Sequence, residues 1–365
     1  VSDEISYVAT APFEAARQVS VLPNGHRARY LHGHSFLARV RVKPEAFSTP
    51  FNGAEVDSLT QHLRHVVSPL NYSYLNEHID VPTDENLARW IHSQFESGTV
   101  DQFGVQSTHD QGVDLDGAGT AHIWRRFRFE AAHQLPNVPQ GHQCGRMHGH
   151  GFEAILHVKQ HLEETEAMGV DFDELGRLWQ PLNQTLDHAC LNDLSGLENP
   201  TSEILSRWIW DQLKPALPSL SWVTVYETVT AGCHYDGSQF RIWKEQRFES
   251  ALRLEKAPKG DPRKNLHGHS YLQRLHLTAP LDQVMGWTID YGDVKELFKP
   301  TYQAMDHHLL NEIESLEDPS IDKLLRWIRN QAEPVLPQLN RIDLFQTSGC
   351  GAMLSWGEDG PALPV

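Results

Sequence analysis

The stretch CGRMHGH, residues 144–150, places a thiol and two imidazoles within seven residues, in a chain with 22 histidines and only four cysteines. His148 and His150 are two apart, and on a strand or its entry that spacing puts both imidazoles on one side. His133 ends a strand-like segment upstream, and a strand pair would bring it alongside them. Three histidines with a fourth, exchangeable position describe a catalytic zinc site. The competing reading is a polar hairpin whose imidazoles merely hydrogen-bond, since a lone His-x-His matches often by chance. His133 at fixed spacing and the neighbouring Cys144 favour the metal. Cys144 itself has three readings: a fourth zinc ligand, a nucleophile or base, or an incidental thiol. Beside a metal and Arg146 its pKa is expected to fall, which suits a base near neutral pH. Asp187-His188 offers a partner pair, because a carboxylate orients and charges an imidazole, although such a dipeptide is usually a solvated helix surface.

The elements that position these groups recur. FEAAR (13–17), FEAAH (129–133) and FESAL (248–252) align, as do HGHSF (32–36), HGHGF (148–152) and HGHSY (267–271). In every copy the first motif ends 15 positions before the first His of HGH, and the copies are offset by 116 and then 119 residues. A third shared element is LNYSYLN (70–76), LDHACLN (186–192) and MDHHLLN (305–311). After it come PTDENLARWIHSQF (82–95), PTSEILSRWIWDQL (200–213) and PSIDKLLRWIRNQA (319–332), which read as amphipathic helices with Thr or Ser as N-cap. A helix is expected before each third element, for example over 172–186. Segments after HGH alternate as strands do, and FGVQST, WVTVYET and IDLFQT read as later strands.

Each unit thus reads strand, strand, helix, helix, strand, strand, an α+β unit with an antiparallel sheet. The boundaries are set at 1–115, 119–237 and 238–365. STHDQGVDLDGAGTAH (107–122) is expected to be a linker, and DGS (236–238) a tight turn between two strands.

Composition sets outer limits. The chain has 365 residues, 39% hydrophobic and 22% charged, with a net charge of −17. That charge argues against nucleic acid or an anionic membrane as partner. No apolar run reaches the length of a membrane span and no signal-peptide pattern opens the sequence. With four scattered cysteines, free thiols in a reducing cytoplasm are expected.

FEAAH, CxxxHGH, LDHxxLN, PTSE and VYET in one unit resemble the 6-pyruvoyl-tetrahydropterin synthase and 6-carboxy-tetrahydropterin synthase family. The resemblance spans the chain as three tandem units and is complete in the second. It implies the tunnelling fold (T-fold): three units joined into an intrachain pseudo-trimeric, twelve-stranded antiparallel barrel with helices outside. It further implies His133, His148 and His150 as zinc ligands, Cys144 as the catalytic thiol, Asp187-His188 as the Asp-His pair, and Glu227 as the carboxylate gripping the pterin ring. The other units depart from this pattern. The first has Arg17, Ala28, Asn71-Tyr72 and Ser107 in those places. The third has Leu252, Arg263 and Gln346 but keeps Asp306-His307.

By the same resemblance the activity is a zinc-dependent lyase of 7,8-dihydroneopterin triphosphate. CxxxHGH resembles the branch making 6-carboxy-5,6,7,8-tetrahydropterin, on the route to deazapurines such as queuosine. The alternatives are 6-pyruvoyl-tetrahydropterin synthesis and a non-catalytic pterin-binding scaffold. In the family the thiol and the Asp-His pair come from neighbouring subunits, which points to Asp306 and His307 of unit three as partners of Cys144. The family's two stacked trimers imply a homodimer of this chain.

Overall fold

Each copy of the first two motifs forms a long hairpin, and the remaining elements follow from it. In unit one these are β1 (Glu4–Arg17), β2 (His32–Val42), α1 (Glu55–Val67), β3 (Ser73–Tyr74), α2 (Asp84–Ser93), β4 (Val100–Thr108) and β5 (Gln111–Asp116). Unit two has β6 (Thr120–His133), β7 (His148–His161), α3 (Phe172–Leu186), β8 (Ala189–Cys190), α4 (Ser202–Leu213), β9 (Leu220–Thr228) and β10 (Ala231–Tyr235). Unit three has β11 (Phe240–Leu252), β12 (His267–Thr278), α5 (Tyr291–Met305), β13 (His308–Leu309), α6 (Ile321–Ala332), β14 (Leu339–Thr347) and β15 (Cys350–Ser355). This computed structural model describes residues 3–44, 49–95, 100–161, 166–357, 360–361 and 363–364.

The long strands run β10-β9-β7-β6-β5-β4-β2-β1-β15-β14-β12-β11, and β10 pairs with β11 to close the ring. The result is the twelve-stranded antiparallel barrel, with four strands from each unit. The two-residue strands β3, β8 and β13 add parallel rungs to β1, β6 and β11. The helices pack on one face of the strands: α3 buries Leu175, Trp179, Leu182 and Leu186 at helical spacing, and the Trp179 ring stacks on Phe127 at 5.0 Å. The opposite face lines the barrel interior. It carries polar pairs such as Arg341 with Asp343 and His276 with Asp343, since buried charges need partners. Among the described residues no helix is long and apolar enough to cross a membrane.

Two local expectations need correction. Residues 107–122 are no linker: they hold the end of β4, all of β5 and the start of β6, and β5 pairs with both neighbours. Asp110, Gly117 and Gly119 mark turns at the strand ends while Gly112 and Asp114 lie within β5, so the segment continues the sheet from unit one to unit two. Ser320 stands at the cap position of α6 but makes no capping bond, because its hydroxyl donates to Asp322 instead. Thr83 and Thr201 do cap, accepting from Asn86 and Ile204 N–H. The turn at 236–238 forms as expected, with Asp236 accepting from the Ser238 and Gln239 N–H groups and Gly237 at φ +95°.

Consecutive units clasp each other at the caps. The Thr201 hydroxyl donates to Gly286 O and Glu203 accepts from Thr288 N–H at 2.7 Å. Thr83 donates likewise to Ala167 O and Glu85 accepts from Gly169 N–H at 2.9 Å. The Thr201 and Glu203 bonds hold the loop before α5 against the start of α4, next to Pro200, whose carbonyl meets His133 of the unit-two hairpin.

Candidate metal centre and cleft

The β6–β7 register sets His133 opposite His148 and Ala131 opposite His150, so the three imidazoles share one face of the hairpin. Their ring centroids are 4.6–5.1 Å apart, and their ligand atoms all lie within 4.8 Å of one another. Two tautomers follow from the acceptors. His133 Nδ1 lies 3.0 Å from Pro200 O and His148 Nδ1 lies 2.7 Å from Arg146 O. A carbonyl only accepts, so each Nδ1 carries the proton and each Nε2 offers a lone pair. The Nε2 atoms of His133 and His150 are buried without a hydrogen-bond partner. Burial pushes His133 down to about 4 and lowers His150 as well, which keeps both in the neutral form that binds metal. The donor set therefore fits zinc, with carbonyls fixing the ligands from behind.

Glu227, near the end of β9, points at the same place, its Oε1 at 3.9 Å from His133 Nε2 and 3.8 Å from His150 Nε2. Burial, then the charges of Glu203 and Asp290, push its carboxyl up to about 7. His148 and His150 front a cleft of about 680 Å³, with His133 buried behind them. Unit two supplies Cys144, His148, His150, Glu203 and Glu227 to its wall, and unit three supplies Lys244, Trp287, Asp290, Tyr291 and Lys295.

Cys144 sits in a 3-10 turn (Gln143–Gly145) whose cap is His142, accepting the Cys144 N–H at Nδ1. His142 Nε2 in turn lies 3.3 Å from Asp290 Oδ2 of unit three, so the turn is held across the unit boundary. Gly141 at φ +93° lets the chain enter the turn. The expected fall in the Cys144 pKa rests on a bound metal ion, and the protein groups alone act in the opposite direction. Burial, then Glu227 and Asp290, push the thiol up, because carboxylates surround it while Arg146 is exposed.

The Asp-His pairs lie elsewhere. Neither Asp187-His188 nor Asp306-His307 lines the cleft. Asp306 follows the C-terminus of α5, whose first residue Tyr291 is in the cleft wall. Lys295 of the same helix also lines the cleft, and from there α5 runs on for roughly 15 Å before it reaches the pair. A loan from unit three to unit two inside one chain is therefore not the arrangement found. Both histidines are 78% exposed at the side chain and contact their own aspartates at 3.0–3.1 Å. Both also take a left-handed φ of 58° just past a helix end. Asp187 and Asp306 accept from the Glu130 and Glu249 N–H groups, and Asn71 accepts identically from Glu14 N–H. The side chain at this position, Asn71, Asp187 or Asp306, thus ties helix to strand in every unit, which gives the survival of Asp306 in unit three a structural reason.

The degenerate units have filled their sites. Arg17 donates to Pro82 O and to Asp84, and its guanidinium lies 3.3 Å from His34 Nε2. Ser107 donates to the other Asp84 oxygen at 2.6 Å. In unit three Leu252 is buried, and Arg263 pairs with Asp261 and Asp57. Among the described residues the unit-two histidines form the one cluster suited to a metal.

Sequence reasoning missed Glu203, Lys244 and the unit-three segment 287–295. A signal existed for part of it: WTIDYGDVK (287–295) aligns at the 119 offset with MGVDFDELG (168–176), and only the former carries Trp, Tyr and Lys there.

A family model described as 6-pyruvoyl tetrahydropterin synthase matches residues 7–110, 122–238 and 241–355. A Synechocystis protein named 6-carboxy-5,6,7,8-tetrahydropterin synthase is 42% identical over 119 residues, which is 31% of this chain and 91% of that protein. A Pyrococcus furiosus protein named dihydroneopterin monophosphate aldolase is 30% identical over 94 residues, 25% of this chain and 79% of that one. The solved 6-pyruvoyl tetrahydropterin synthase of Caenorhabditis elegans is 18% identical and covers 31% of this chain and 92% of its own, with a TM-score of 0.29. With three matches that together span most of its length, this chain belongs to the 6-pyruvoyl tetrahydropterin synthase family.

Proposed function

We propose that the chain is a zinc-dependent lyase that converts 7,8-dihydroneopterin triphosphate to 6-carboxy-5,6,7,8-tetrahydropterin, acting as a cytoplasmic homodimer. One observation carries this reading: a cluster of three imidazoles stands at the wall of a single cleft that a thiol and a carboxylate also line. The similarity to the Synechocystis protein and the CxxxHGH spacing support the 6-carboxy product over the 6-pyruvoyl one.

His133, His148 and His150 would hold the zinc ion, which supplies Lewis acidity toward the side-chain hydroxyls of the substrate when bound. Glu227 accepts the paired N–H donors of the aminopyrimidinone edge. Those donors favour its ionised form, against the burial that pushes it up to about 7 in the free cleft. Cys144 takes and returns a proton at the substrate side chain. Because burial, reinforced by Glu227 and Asp290, raises the pKa of its thiol, Cys144 needs a partner to receive that proton. An exposed Asp-His pair of a second copy, 187-188 or 306-307, meets the need, since neither pair reaches the cleft of its own chain. Incubation with 7,8-dihydroneopterin triphosphate, with products resolved by mass, tests the reading. The 6-carboxy product is expected. A 6-pyruvoyl product overturns the branch, and no turnover by the zinc-loaded chain overturns the activity.

A further inference from the structure

The barrel has three seams between units, and the chain itself closes two of them. β5 turns into β6 through residues 117–119, and β10 turns into β11 through residues 236–239. At the third seam β15 pairs with β1, Ser355 opposite Glu4 and Gly351 opposite Val8. These are the last and first strands described, and no turn joins them. A short turn holds two strands at high effective concentration. Without one, opening the seam costs only the pairing itself and leaves β1 and β15 as free edges that can template pairing with another copy.

Residues flanking this seam take the place of the missing turn. Arg329 of α6 lies over the ring of Trp356, just past β15, at 4.2 Å. The same guanidinium pairs with Asp3, just ahead of β1. Arg326, three residues earlier on α6, lies 3.7 Å from that Asp3 oxygen. Trp356 is anchored by its N–H, which donates to Asn340 O at 2.9 Å. Farther along, Gly360 lies against the side chains of His234 and Arg241. Leu363 is buried, and its carbonyl accepts from Arg39 Nη1 of β2 at 3.0 Å. That contact ties the chain beyond β15 to unit one on the far side of β1.

The repeat supplies internal controls. At the 119 offset, Arg329 corresponds to Trp210 and Trp356 to Gly237. In unit two the Trp210 ring lies under Gly237 of the covalent turn, so closely that a Cβ there would come within 2.6 Å of it. In unit three the large ring stands on the strand side and a cation stands on the helix, where it also holds Asp3. The unit-one counterpart is His92, which packs on Phe103 at 4.5 Å. The arginine thus occurs at the seam that lacks a turn. Asp3 and the residues from Trp356 onward also lie outside the segments that match the family model, so the clasp belongs to this chain and not to the shared unit.

We propose that Arg329, Asp3 and Trp356, with Leu363 docked on Arg39, form a latch that keeps the β1–β15 seam closed within one chain and prevents units one and three from pairing with other copies. None of these residues lines the metal cleft, so the latch is independent of the proposed activity. Hydrogen exchange of the full chain, read by mass spectrometry on peptides from each seam, tests it. In the double variant Arg329→Met with Leu363→Ala, the β1 and β15 amides should exchange about tenfold faster or more. Those of β5–β6 and β10–β11 should match the parent. Sedimentation after warming should show the variant in assemblies larger than the parent's, as opened edges pair between copies. If the double variant does not fold, Arg329→Met alone carries the same comparison. A β1–β15 seam that exchanges as slowly in the variant as in the parent overturns the latch. Equal acceleration at all three seams overturns it too, because that is general destabilisation. Faster exchange at the seam without larger assemblies keeps the latch and overturns its role in excluding other copies.

Discussion

Arg17 Nη1 lies 2.7 Å from Asp84 Oδ1, and this ion pair fills in unit one the place that His133 holds in unit two. Both side chains reach the same carbonyl, Pro82 O for Arg17 and Pro200 O for His133. The guanidinium is a fixed cation where unit two would hold a metal ion. It also helps burial keep His34 down at about 4, which disfavours protonation there without creating a metal site. Metal analysis of the purified chain should therefore give about one zinc equivalent, lost on replacing His133, His148 and His150 together by Ala. Three equivalents, or retention by the triple variant, would contradict this.

The hairpin site was legible because its parts are local. The 15-position spacing spans one hairpin loop, and pairing of His133 with His148 follows from strand register. The helix over 172–186 was readable from its periodicity and matches α3. Cross-unit features were not. The contact of His142 with Asp290 joins residues almost 150 positions apart, and no periodic signal marks it. The direction in which α5 carries Asp306 away from the cleft depends on how units dock, which a motif count does not encode.

For the Asp-His pairs, the geometry predicts that whichever pair serves Cys144 does so from a second copy. One of His188→Ala and His307→Ala should lower turnover by about 10²–10⁴-fold, the usual worth of an acid–base group. Mixing that variant with Cys144→Ala should restore activity, because each copy supplies what the other lacks. If neither histidine matters, or mixing restores nothing, the shared site is wrong.

Glu85 gives a pH prediction. Burial, opposed by the Gly169 N–H, pushes its carboxyl from 4.5 up to about 7. Between those values the folded chain holds a proton that the unfolded chain has released, so its stability falls as pH rises through that window. Glu85→Gln removes the titration. Denaturant unfolding at pH 5 and pH 8 should show the variant gaining on the parent at the higher pH, by roughly 3 kcal/mol from the size of the shift. An identical gap at both pH values would refute the assignment.

The most direct test of the central claim, that the cleft is catalytic and the metal site complete without the thiol, is Cys144→Ala with zinc content and turnover of 7,8-dihydroneopterin triphosphate measured on the same sample. The account predicts zinc retained at the parent level, an unchanged fold, and turnover reduced by about 10²-fold or more. Loss of zinc together with the thiol, or turnover that survives its removal, would contradict it.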